Sequence, residues 1–358
     1  MTAVDGRAAR RRYLTLIALR WLPTGLLIPI SVLLMLSRGL SLTEIGIVFS
    51  AQGFVVLALE LPTGGLSDSL GRRPVLILAS LVGLVSLATL YLAHSLPMFM
   101  AAAALQGVFR ALDSGPLEAW YVDATLASDP HARIETGLGA GSSVLSVAIA
   151  SGALLSGGLV ALHPVGGMEP LALPLLVAFA LNLVNLAAVL ALLTEVRKAR
   201  GVRAVASSVG AVPSVIRQGL GLLRSSRVLL ALVLVELFWG FAMITFENLF
   251  PVRLSEVLGD TDSAGALMGP VSSGAWIASA AGAAVIATVS GRLGVARSAA
   301  LLRILQGLAI VGMGLLAGPV GLVTAYLACY VTHGASNPMH TTLLTARSMG
   351  HTGRRCYR

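Results

Sequence analysis

Five charged residues lie inside stretches otherwise too apolar to carry them: Arg20, Arg110, Asp113, Glu118 and Glu236. A charge at the middle of a hydrocarbon layer costs about 2.5–3.5 kcal/mol on insertion scales, so it faces a cavity or a partner. Taken as one continuous helix, the run around 98–123 places Gln106, Arg110, Asp113, Ser114 and Glu118 on a single polar stripe, with Asp123 on another face. Arg110 and Asp113, three residues apart, can pair with each other. Such a pair either holds helices together or lines a cavity where an anion, a proton or a polar solute competes for Arg110. Glu118 and Glu236 have no partner nearby in sequence. Burial disfavours the charged form of a carboxylate, which is the property a proton carrier needs. Arg20 could instead neutralise either one across a bundle. Glu60, Glu247 and Arg303 fall nearer the ends of their runs, where side chains snorkel, and His333 and His340 read as structural.

Other chemistries find no support in the residues. There is no nucleotide-binding loop, no metal-ligand cluster and no Ser–His–Asp arrangement. The two cysteines, Cys329 and Cys356, indicate neither a disulfide framework nor a metal site. No cofactor and no enzymatic turnover are expected.

The elements that must position these charges are set by composition. The chain has 358 residues, 56% of them hydrophobic and 11% charged, against roughly a quarter charged in soluble domains. A bilayer core demands runs of about 20 apolar residues per helical span. The sequence supplies such runs at 13–36, 43–65, 74–95, 98–123, 136–162, 171–193, 228–251, 264–289, 298–317 and 319–344. Each must be helical, because lipid offers no partner to an unpaired backbone amide. Arg10-Arg11-Arg12 before the first run resembles an export signal, but nine further runs argue for a retained first span.

The basic residues give the orientation. With the N-terminus in the cytosol, twenty of the 25 Lys and Arg fall on the inner side, Arg38 and Arg253 fall outside, and Arg20, Arg110 and Arg303 lie within spans. That bias predicts a cytosolic N-terminus in the cell membrane. It also disposes of a nucleic-acid partner for the +9 charge, which is scattered over loops and not gathered on one module. The longest polar stretch divides a six-helix bundle over 1–193 from four spans over 228–345, with a polar tail at 346–358. Between them, 194–227 is a basic linker. Its second part sets Val212, Ile216, Leu220 and Leu223 on one face and Arg217 and Arg224 opposite, an amphipathic helix suited to the membrane surface.

Between spans two and three stands Gly64-Gly65-Leu66-Ser67-Asp68-Ser69-Leu70-Gly71-Arg72-Arg73-Pro74, preceded by Glu60-Leu61-Pro62-Thr63. This resembles the signature of the major facilitator superfamily, in the loop where that family carries it. The glycines suit a tight turn and close helix contact, Asp68 and Arg72 can pair, and Pro62 would open its helix. The resemblance implies an all-α integral membrane fold and a cytosolic latch of Gly64, Asp68, Gly71, Arg72 and Arg73, joined by Asp123. The second half repeats the motif weakly as Gly291-Arg292-Leu293-Gly294, with Thr288 where the acid would stand. The family has twelve spans, so the resemblance implies an incomplete C-terminal bundle of about ten helices in all, with truncation or frameshift after residue 346 favoured over a genuine end. The function it implies is secondary active transport of a small solute by alternating access, with proton-coupled export foremost. Uptake of a polar or anionic solute, or a non-transporting remnant, are the alternatives. A glycine-rich fifth span, as in exporters of the family, is explained as well by packing.

Overall fold

A computed structural model describes residues 5–162, 169–194, 202–316 and 318–353, with the side chains of 202–209, 341–353 and some single positions, Asp68 among them, outside the described set. Among these residues there is helix and no strand. The first part of the basic linker, His163-Pro164 and the extreme tail also lie outside the described residues.

Two units emerge, Met1–Val215 and Ile216–Arg358. The first contains α1 (Gly6–Leu27), α2 (Ser31–Ser37), α3 (Leu42–Leu70), α4 (Arg72–Leu92), α5 (Leu96–Asp113), α6 (Pro116–Ser128), α7 (Ile134–Ala161), a 3-10 turn at Pro170–Ala172 and α8 (Leu173–Leu192). The helix α9 (Val202–Ser225) crosses the division. The second holds α10 (Arg227–Leu258), α11 (Thr261–Leu293), α12 (Val295–Leu315) and α13 (Gly318–Gly353).

Eight helical segments among the described residues are long and apolar enough to cross a membrane. The two expected runs not among them differ for visible reasons. The fourth is broken between Asp113 and Pro116, and α13 carries Tyr326, Tyr330, Thr332 and His333 along its middle. Span one is also in two pieces, α1 and α2, because Pro29 has no amide to continue the ladder. Pro62 does not have that effect: α3 runs through it to Leu70.

In the first unit α1 is the common partner of α6, α7 and α8. Tyr13, Leu16 and Ile17 on α1 share a buried cluster with Leu117, Trp120 and Tyr121 of α6 and Val189 of α8. Against α7, α1 approaches to backbone contact. A Cβ at Gly152 would run into the Leu22 carbonyl, and one at Gly137 or Gly141 into Tyr121 or Tyr13, so these glycines are explained by helix packing, whereas a Cβ at Gly139 or Gly158 would meet nothing within 4 Å. The remaining pair, α3 and α4, packs on α5, with the Thr63 hydroxyl donating to the buried Ala111 carbonyl at 2.7 Å.

Arg38, counted in the sequence only as an outer-side charge, does more. Its side chain is 6% exposed and its Nε donates to Glu169 Oε2 at 3.0 Å. Its Nη1 donates to the carbonyls of Leu90, Tyr91 and Ala93 at 3.0, 3.0 and 2.8 Å. One guanidinium thus satisfies the open end of α4 and ties it to α2 and the segment before α8. Ser37 donates to the other oxygen of Glu169.

In the second unit α13 packs against both α11 and α12. Ser226 and Asp260 cap α10 and α11 by accepting from Leu229 and Ser263 amides at 3.2 and 2.6 Å. Phe246 and Phe250 of α10 pack on Tyr326 and Tyr330 of α13, with Phe250 and Tyr326 stacked at 3.8 Å.

Breaking a buried ion pair by removing one partner costs about 3–5 kcal/mol. Arg38→Met is therefore expected to lower the thermal stability of the detergent-solubilised protein by an amount of that order. Arg38→Lys should recover only part of it, because an ammonium lacks the fork that reaches several acceptors at once. Size-exclusion profiles after heating would check both.

Candidate functional site

The interruption of span four builds the site. Ser114 is extended, and Gly115 sits at φ +90°, a left-handed conformation that disfavours any side chain. Pro116 then starts α6 at a position that needs no amide. The break puts Arg110 in the last turn of α5 and Glu118 in the first turn of α6. Each charge thereby sits at the helix end whose dipole favours it.

Around this break lies a cavity of about 260 Å³. Arg20 and Trp21 of α1, Glu60 of α3, Arg110 and Asp113 of α5, and Glu118 of α6 supply its polar and aromatic wall. All belong to the first unit.

Inside it the expected pairing is exchanged for another. Asp113 does not bind Arg110; its Oδ2 accepts from Arg20 Nε of α1. Arg20 is 8% exposed, its guanidinium lies 4.4 Å from the Phe109 ring centre and 4.8 Å from that of Trp21, and Nη1 donates to Thr24 Oγ1 at 3.1 Å. Held between two rings, it is aimed at the end of α5. Asp113 at that end is its ion-pair partner.

Arg110 consequently makes no ion pair among the described residues, and neither does Glu118. Glu60, read from sequence as interfacial, belongs to the cavity: Ser114 Oγ donates to its Oε1 at 3.1 Å. Gln106 leaves the stripe, since Ser86 Oγ of α4 donates to its Oε1 at 3.2 Å and it faces a smaller space beside Asn182. The turn at Gly115 re-aims Glu118 relative to α5, whereas Gln106, in the same unbroken helix as Arg110, is drawn away by its bond from Ser86.

Glu236 is not paired with Arg20 either. It lies in the second unit, where its Oε1 accepts from Arg303 of α12 and stands 3.3 Å from His340 Nδ1 of α13. Arg303, expected to snorkel, is instead tied inward to this carboxylate.

At the other end of α3, Arg72 Nη2 donates to Asp123 Oδ2 of α6 at 3.2 Å and Nη1 to Ser67 Oγ at 3.2 Å. Arg73 Nη2 donates to the Leu190 carbonyl of α8 at 2.8 Å. The turn falls at Gly71, with φ +99°. Gly64 makes no turn: it lies within α3, and a Cβ there would meet nothing within 4 Å. The Asp68 side chain is outside the described residues.

The family model described as Major Facilitator Superfamily matches residues 14–355, so the chain belongs to that superfamily. It is a multi-pass membrane protein of a transporter family and not an enzyme. The fold is similar to that of a variant of the nucleoside transporter NupG, at 14% identity and a TM-score of 0.73, over 93% of this chain and 82% of that one. A bacterial homologue of the human lysosomal transporter Spinster matches at 12% identity and 0.67, covering 96% of this chain and 76% of that one. A structure from work on proton dependent oligopeptide transporters matches at 14% and 0.69, covering 92% and 82%. A search of curated proteins finds no match.

The two arginines of the cavity differ in what their loss or isolation does. Asp113→Ala leaves Arg20 buried without its carboxylate, which is expected to cost about 3–5 kcal/mol. Arg110→Gln removes no pair and should stay within about 0.5 kcal/mol of wild type. Thermal unfolding of the purified variants reads the contrast.

Proposed function

We propose that this member of the superfamily is a proton-coupled secondary transporter that exports a small solute by alternating access, with the α5–α6 cavity as its solute and proton site. The observation that carries the reading is the charge left in the cavity once Arg20 and Asp113 have neutralised each other. Arg110 then stands against Glu60 and Glu118, an excess of one negative charge. A proton or the cationic group of a small amphipathic solute restores neutrality, and the two compete for the same carboxylates. Competition of that kind is the logic of exchange: a proton entering displaces the solute leaving. Glu118 is the proton carrier in this reading and Arg110 sets its electrostatics.

The volume of about 260 Å³ supports a small cargo, since pockets that hold drug-sized ligands measure about 300–1,000 Å³. The Arg72–Asp123 pair at the motif, with Asp68, acts as the cytosolic latch. The excess of basic residues on one side supports a cytosolic N-terminus and residence in the cell membrane.

One observation favours a second reading. Arg110 is without an ion-pair partner among the described residues, which suits uptake of an anionic solute together with a proton that neutralises Glu118.

Vesicles reconstituted with the full chain and given a pH gradient separate the two. Tetraethylammonium should accumulate on the acidic side with wild-type protein, and Glu118→Gln should lose at least about tenfold of that flux, as removal of a proton-transferring group does. Accumulation of benzoate on the alkaline side, abolished by Arg110→Gln, would instead establish the uptake reading. Cation flux that keeps its pH dependence in Glu118→Gln would overturn the role given to Glu118.

A further inference from the structure

The second unit gathers a cluster that the cavity at the α5–α6 break does not use. Three helices meet at one carboxylate oxygen. Arg303 of α12 donates to Glu236 Oε1 of α10, and His340 Nδ1 of α13 lies 3.3 Å from the same atom. The other imidazole nitrogen, Nε2, is buried with no hydrogen-bond partner among the described residues. Arg303 has further company: Nη1 donates to Gln306 Oε1 at 3.0 Å, and its guanidinium lies 5.0 Å from the Trp239 ring centre. His333 stacks on that same ring at 5.3 Å. The remaining acid of α10 within the bundle, Glu247, accepts from Tyr330. The charged residues of α11, Asp262 and Arg292, are at its two ends.

Proton bookkeeping at this oxygen is restrictive. To bond Glu236, a neutral His340 must keep its single proton on Nδ1, which leaves a bare and buried lone pair at Nε2. A second proton on Nε2 turns the imidazole into a cation facing the carboxylate. The group of three then passes from neutral to one positive charge, and two cations share one oxygen. A low-dielectric interior strengthens that repulsion. Arg303 is the partner able to yield, because Gln306 and the Trp239 face already hold it elsewhere.

We infer that His340 is a proton-binding site of the second unit, and that its protonation displaces Arg303 from Glu236. Imidazole is the side chain whose ordinary titration falls between about pH 5 and 8. The proton binds at Nε2, and the guanidinium moves against Trp239. The site is separate from Glu118, and it stands or falls without the reading of the first-unit cavity.

The full chain in lipid nanodiscs offers a direct readout, because the Trp239 ring lies 5.0 Å from the guanidinium that His340 is to displace. Tryptophan emission followed across about pH 5–8 should show a reversible transition in wild type that disappears in Trp239→Phe. His340→Gln is expected to lose most of its amplitude, and His333→Gln to keep it. Glu236→Gln, which leaves both histidines in place, should also lose it, and it carries the test if His340→Gln does not give a monodisperse protein. A wild type without the transition, a transition that survives both His340→Gln and Glu236→Gln, or one that vanishes in His333→Gln and persists in His340→Gln would overturn the assignment. No transport is measured, so failure here is distinct from failure of the Glu118 reading.

Discussion

Charges carried into an apolar layer must be answered there, and much of this architecture follows from how each one is answered. Arg20 is clasped by two aromatic rings and closed by Asp113. Arg303 rests near Trp239 and is closed by Glu236. Arg38 spends itself on a carboxylate and three carbonyls. In each case the guanidinium joins helices distant in sequence, and so fixes their packing as well as its own charge. Against that pattern Arg110 and Glu118 stand out, because each lacks an ion-pair partner among the described residues and both face the same space. A charge left unanswered by the protein is the place where a mobile charge can be received.

What leaves them unanswered is backbone. Arg110 and Asp113 are one turn apart within α5, yet Asp113, the last residue of that helix, pairs with Arg20 of α1 instead. Ending α5 there, turning through Gly115 and restarting at Pro116 puts Arg110 in the last turn of one helix and Glu118 in the first turn of the next. Helix dipoles then support both charges without quenching either. The interruption costs a stretch of backbone its regular hydrogen bonds, which membranes tolerate where irregular chain lines a cavity.

How far the sequence reached follows from the same physics. Apolar run length and the Gly71-Arg72-Arg73 motif are local properties, and from them come the helical spans, the family and the proximity of Arg72 to Asp123. Partner choice is not local. Arg20 and Asp113 are 93 positions apart, and Arg303 and Glu236 are 67 apart. Nothing in either neighbourhood announces the other. Glu60 lies near the end of its apolar run yet on the cavity side of α3, because distance from a span end does not say which face a side chain takes. One signal was available: Ser114-Gly115-Pro116 is turn chemistry in the middle of a span, and read as such it would have broken the stripe before the structure did.

The two units answer the same constraint in opposite senses. In the first, the arginine on the leading helix is neutralised by an aspartate from α5; in the second, the leading helix carries the acid and α12 the arginine. The weak internal repetition of the motif is thus accompanied by opposite charge on the two leading helices, α1 and α10, while their partners come from helices that do not correspond. The first unit holds open charges beside a cavity, and the second holds a closed pair with an imidazole against it. Under the two proposals, proton binding neutralises a carboxylate in the first and loosens an existing ion pair in the second.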